Sequence, residues 1–282
     1  MHVRCLPALC RPLQTNEVRV TTIQQTFARL KSEKRGALMP YLMVGYPELH
    51  SLEEYALALQ EAGADLFEIG VPFSDPLADG ATIQRASEVA LQNGVNVAYA
   101  IKSIANLRSQ GVHVPLVMMG YYNPFLQYGL ERFARDAAAA GASGVIVPDL
   151  PPEEAGPFQQ VLRQYGLDFI MFLAPTTPDA RIKQIVSVAS GFVYCVSLTG
   201  VTGARSELWE GLPGFINRAR GFTDLPLVVG FGISTPNHVR TVAQCADGAI
   251  VASALINIID KTPAPERRAK LVEYIASLRP NI

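Results

Sequence analysis

Long apolar runs are missing from this chain of 282 residues. No stretch approaches the roughly 18 consecutive apolar residues of a membrane-spanning helix. The most apolar tract, 248–259, is interrupted by Ser253 and Asn257. Charge of one sign is missing too. Lys plus Arg number 24 against 25 Asp plus Glu, a net charge of -1, so no basic field recommends a nucleic-acid partner. Cysteine is scarce, and four in so long a chain make no disulfide framework. Cys195 and Cys245 lie in apolar segments that suit core packing, while Cys5 and Cys10 lack the matching His or Cys pair of a metal site. The six lysines (Lys31, Lys34, Lys102, Lys183, Lys261 and Lys270) all avoid the ends of apolar runs, which argues against Schiff-base chemistry. Of the histidines His2, His50, His113 and His238, only His50 follows a strand-like run, so a histidine-built metal site is not expected. No Gly-rich dinucleotide fingerprint is present. These absences leave a soluble, reduced, cytoplasmic protein whose available catalysts are carboxylates, tyrosines and backbone amides.

Apolar residues make up 49% of the chain and charged residues 17%, ample for a large core. Residues 1–20 carry two prolines, scattered arginines and no period, and read as a disordered or loosely packed extension. From residue 21 to 282 short apolar runs alternate with helix-period segments. The strand candidates are 38–44, 65–70, 116–120, 144–149, 169–174, 192–198, 227–231 and 248–253. Near-continuous apolar runs of this length suit strands buried on both faces. Ser51 with Glu54 reads as a capping box, and Thr177-Pro178 and Thr235-Pro236 as hydroxyl caps before a first-turn proline. Gly63, Gly141 and Gly166 close helices ahead of strands. Eight strand–helix units without a composition break predict one closed (β/α)8 TIM barrel, with a doubly wound open sheet as the alternative.

In such a barrel the chemistry belongs to the loops after the strands. The second run leads into DLFEIGVPFSDPLADGATIQRA (65–86), where Glu68 sits between Phe67 and Ile69 and so faces away from both. A buried carboxylate costs several kcal/mol unless it is paired or protonated, and that points to function rather than packing. Asp79, before Gly80, reads equally as a turn-and-cap residue or as a site residue. Asp149 ends the fourth run. SLTGVTGAR (197–205), GFGIST (230–235) and VASAL (251–255) put glycines, hydroxyls and small residues after the last three strands, which suits a backbone cradle for a phosphate.

The segment EIGVPFSDPLADGATIQRA strongly resembles the signature of the tryptophan synthase α subunit family. The similarity continues through GALMPYLMVGYP, MMGYYNP, GVIVPDLPPEE, SLTGVTGAR and GFGIST. The resemblance implies a TIM barrel that cleaves indole-3-glycerol phosphate to indole and glyceraldehyde 3-phosphate without metal or organic cofactor. It places the two acid/base residues at Glu68 and Asp79. Tyr194, Tyr121, Thr202, Gly203, Phe231, Gly232 and Ser253 fall at its substrate-binding positions, and Asn123 and Asp149 at strand ends that shape the site or communicate with a partner. A β subunit, in an α2β2 complex, is the implied partner. Two departures stand out: Ala252 replaces the glycine of many relatives before Ser253, and Leu198 replaces the arginine of some. A stand-alone lyase releasing free indole, a barrel that mainly activates a β subunit, and a phosphate-binding isomerase are the competing readings. Glu68 and Asp79, both present, argue against a dead scaffold.

Overall fold

The computed structural model describes residues 20–197 and 208–279. The expected extension therefore lies outside the described residues, apart from Val20. Eight parallel strands close on themselves in chain order: β1 (Ala37–Met43), β2 (Phe67–Gly70), β3 (Leu116–Met119), β4 (Gly144–Ile146), β5 (Asp168–Leu173), β6 (Val193–Val196), β7 (Leu227–Gly230) and β8 (Gly248–Val251). Closure is made by β1 against β8, with Ala37 opposite Gly248 and Pro40 opposite Val251. Around the barrel run α1 (Ile23–Ser32), α2 (Ser51–Glu61), α3 (Ala81–Gln92), α4 (Val97–Ser109), α5 (Tyr122–Tyr128) and α6 (Leu130–Ala140). They are followed by α7 (Gly156–Gln164), α8 (Asp179–Val188), α9 (Leu212–Arg220), α10 (Pro236–Ala243), α11 (Ser253–Lys261) and α12 (Ala264–Leu278). Strand residues are buried almost throughout because helices cover the outside and side chains fill the lumen.

The expected strands all form. Each ends short of its expected C-terminus except β2, which instead begins late, at Phe67. Val147–Asp149, Phe231 and Ser253 are not strand, and Ser253 instead opens α11. The local signals split. Thr235 caps α10, accepting from the His238 N–H at 3.2 Å. Ser51 does not cap α2: its hydroxyl turns back and donates to Glu48 Oε2 at 2.8 Å, and His50 takes the cap position. Thr177 accepts from the Ala174 N–H at 3.0 Å, leaving Pro178 at the cap of α8. Both hydroxyls found a nearer partner in the preceding turn. A capping box not anticipated from the sequence, Thr22 with Gln25, opens α1. That helix lays Phe27 against Phe192, just before β6, with ring centroids 6.1 Å apart, and so covers the N-terminal end of the barrel.

Asp65, expected in the second strand, precedes it and organises the same N-terminal end. Its carboxylate is buried and accepts from Arg35 at 2.7 and 2.8 Å, from Arg29 at 3.0 Å, and from the Leu38 N–H at 3.1 Å. Removing one partner of a buried pair leaves the other charge desolvated. Asp65→Ala is therefore expected to lower stability by about 3–5 kcal/mol in urea unfolding, with kcat of the folded fraction unchanged.

Candidate active site

The mouth of the barrel is where β2 delivers its one charged residue. Phe67 and Ile69 point outward into the apolar layer, so alternation turns Glu68 inward. Glu68 lies opposite Tyr41 of β1 and Val117 of β3, is buried, and has no hydrogen-bond partner for its Oε2 among the described residues. Burial, reinforced by the Asp79 charge, pushes its carboxyl from an ordinary 4.5 up to about 8.

Asp79 comes from the loop after β2, which is tied back to α3. The Phe73 N–H donates to Ser87 Oγ and the Ser87 hydroxyl to the Phe73 carbonyl, both at 2.9 Å, while Gln84 Nε2 donates to the Asp79 carbonyl at 2.9 Å. The cap reading of Asp79 does not hold. Gly80 is the N-cap of α3, and the Asp79 carboxylate instead accepts from the Tyr121 hydroxyl at 3.1 Å. That hydroxyl also accepts from the Ala78 N–H at 2.9 Å, and the Tyr121 ring lies 5.2 Å from that of Phe73. Burial raises Asp79 to about 6, against the lowering effect of the Tyr121 hydrogen bond. At neutral pH the two carboxyls thus hold one proton between them, on Glu68.

Two tyrosines frame the pair. Tyr194 of β6 is buried, its ring 4.6 Å from Phe172 and 6.1 Å from Phe231. Its hydroxyl lies where a side chain on Gly230 of the neighbouring strand would begin, 2.1 Å from an added Cβ. Tyr41 repeats the arrangement: it sits opposite Glu68, and its hydroxyl is 2.1 Å from an added Cβ on Gly70. Glycine at both strand ends clears the space that brings the two phenols to the mouth. Burial, with the charges of Asp79 and Glu68, raises both hydroxyls well above the ordinary tyrosine value. The strand-one motif contains Tyr41, but nothing in the motif itself gave that residue a role. The readable signal was parity, since a residue paired with Glu68 shares its face.

At the far side of the mouth the ends of β7 and β8 are adjacent, with Val229 opposite Ala249. Gly232, in the turn after β7, and Ser253, the first residue of α11, are both exposed there. Ala252 adopts φ -120°, so its departure from glycine carries no left-handed strain. Asp149 accepts at 2.9 Å from the N–H of Tyr122, the first residue of α5, whose N-cap is Tyr121. Asn123 follows on α5 and is exposed. Leu198, Gly200, Thr202 and Gly203 lie outside the described residues.

Comparison with known proteins places the fold within one family. A family model described as tryptophan synthase alpha chain matches residues 27–279. The tryptophan synthase alpha chain of Roseiflexus castenholzii is 64% identical over 260 residues, covering 92% of this chain and 100% of the relative. That of Chloroflexus aggregans is 58% identical, covering 91% and 96%. Among solved structures, tryptophan synthase subunit alpha from Legionella pneumophila superposes with TM-score 0.84 at 37% identity, covering 91% of this chain and 96% of that one. A chain of Mycobacterium tuberculosis tryptophan synthase gives TM-score 0.84 at 38% identity, covering 93% and 100%.

The two raised carboxyls set a pH dependence. Asp79 ionised with Glu68 protonated is the population between about 6 and about 8, so kcat/KM is expected to fall on both sides of that window. Stability responds separately. Folded Glu68 keeps a proton that the unfolded chain releases between 4.5 and about 8, so its burial increasingly opposes folding as pH rises through that range. Glu68→Gln is therefore expected to melt higher than the parent at pH 8, the gap closing towards pH 4.5; thermal melts at the two pH values check the sign.

Proposed function

Because the chain belongs to the tryptophan synthase alpha chain family, we propose that it cleaves indole-3-glycerol phosphate to indole and glyceraldehyde 3-phosphate with Glu68 and Asp79 as its acid/base pair. The observation that carries this reading is the buried Glu68 at the barrel mouth, its Oε2 without a hydrogen-bond partner among the described residues, together with an Asp79 held by the Tyr121 hydroxyl. Cleaving the carbon–carbon bond of this substrate requires a proton at indole C3, which places positive charge at N1. The adjacent glycerol hydroxyl must then lose its proton, becoming the aldehyde carbonyl as the bond breaks and its electrons return to the ring. Glu68 gives the first proton and takes the second, ending as it began. Asp79 accepts a hydrogen bond from the indole N–H and stabilises the charge that develops there. Tyr121 holds Asp79 in place, while Tyr194 and Phe231 offer apolar faces to the indole. Backbone amides at Gly232 and at the N-terminus of α11, beginning with Ser253, suit the phosphate.

A β subunit is the partner this reading implies, docked at the same mouth. Leu77, at the tip of the loop that ends in Asp79, is 93% exposed, and Leu126 on α5 is 47% exposed. Apolar side chains displayed beside a site that releases an apolar product favour a neighbour that receives it. A partner that binds the active arrangement of the Asp79 loop more tightly raises turnover by population shift.

Glu68→Gln tests the chemistry. It preserves shape but carries no exchangeable acid proton, so indole release from indole-3-glycerol phosphate is expected to fall by about 10²–10⁴-fold in a folded protein. A folded variant working at the parental rate would remove Glu68 from the mechanism. Titrating the chain with the β subunit of the same genome is expected to raise the rate and give a sedimenting complex. Full activity alone, with no complex and no rate change, would favour the stand-alone lyase.

A further inference from the structure

The turn after β7 adopts a backbone shape that its first residue does not favour. Phe231 has φ +70° and Gly232 φ +79°, two consecutive left-handed residues. A bulky aromatic side chain rarely takes that conformation, and where it does the surroundings must enforce it. Three side chains from three other parts of the chain do so. Ser197, buried at the end of β6, donates its hydroxyl hydrogen bond to the Phe231 carbonyl. His238, buried in the first turn of α10, accepts at Nδ1 from the Ser234 N–H at 3.3 Å. Tyr274, on the last helix, donates to the Ser234 carbonyl at 2.9 Å. Gly232 and Ile233 lie between these anchors, so the direction of their amides is fixed from both sides. Held strain of this kind clusters at ligand clamps, and an anion cradle made of backbone amides loses affinity when its donors must be ordered at the moment of binding.

We propose that Ser197 and Tyr274 are positioning residues for the substrate phosphate, acting through the turn they hold rather than by touching the ligand. The inference rests on the reading that the phosphate lies beside Gly232. Tyr274 is the informative member, because it reaches the turn from a helix that supplies nothing else to the site described above.

The test uses the full chain with Tyr274→Phe and, separately, Ser197→Ala, the two variants releasing opposite ends of the turn. Each is expected to raise KM for indole-3-glycerol phosphate about fivefold, the scale of one lost hydrogen bond, with kcat within about twofold of the parent. The inhibition constant of inorganic phosphate, used as the probe, is expected to rise by the same factor. A merely structural role would instead lower the melting temperature and the active fraction while leaving KM and phosphate inhibition at parental values, and that outcome overturns the proposal. Should either variant fail to fold, the other still decides. Absence of competition by inorganic phosphate in the unaltered chain would strike the phosphate reading itself. Competition in the parent with unchanged constants in both variants would strike only the role of Ser197 and Tyr274.

Discussion

Desolvation of one carboxyl organises the mouth of this barrel. Glu68 is carried inward by strand parity into a space lined by Tyr41, Tyr194 and Val117, where no cation among the described residues neutralises it and the nearest charge, Asp79, has the same sign. Burial therefore raises its carboxyl to about 8, which suits the acid role proposed for it. Asp79 escapes the same fate because the Tyr121 hydroxyl, itself oriented by the Ala78 N–H, stabilises its ionised form. Two carboxyls of ordinary chemistry are thereby separated into an acid and an anion by surroundings alone.

The fold divides its labour along the barrel axis. At the N-terminal end, Asp65 binds Arg29, Arg35 and the first strand's backbone together, and α1 covers the opening. At the C-terminal end, loops and small residues leave room for substrate. The burial of Glu68 works against stability at working pH, so the favourable terms have to come from elsewhere in the molecule. The ion cluster at the opposite end ties its own elements together without entering the mouth.

Much of this was legible because the relevant information is local. Apolar runs buried on both faces gave the eight strands, and alternation around Phe67 and Ile69 was enough to turn Glu68 inward. Legibility failed where a residue chose between near and distant partners. Ser51 and Thr177 carried cap signals but bonded to the preceding turn. Asp79 looked equally like a cap, and the partner its carboxylate takes instead, Tyr121, comes from the end of the next strand. Tyr41 went unassigned because its importance depends on register with β2. The hold of Tyr274 on Ser234 is a contact between α12 and the β7 turn that no local pattern encodes.

The pairing of Ala37 with Gly248 joins the first strand to the last. During synthesis β1 and β2 emerge long before β8 exists, so the ring stays open until nearly the whole chain has been made. Until then water reaches Glu68, and an accessible glutamate titrates like any other carboxylate. The acid proposed to protonate indole is thus a property of the finished circle rather than of the segment that encodes it. A truncated or stalled chain would carry the full EIGVPFSDPLADG signature and lack the environment that gives it its reactivity.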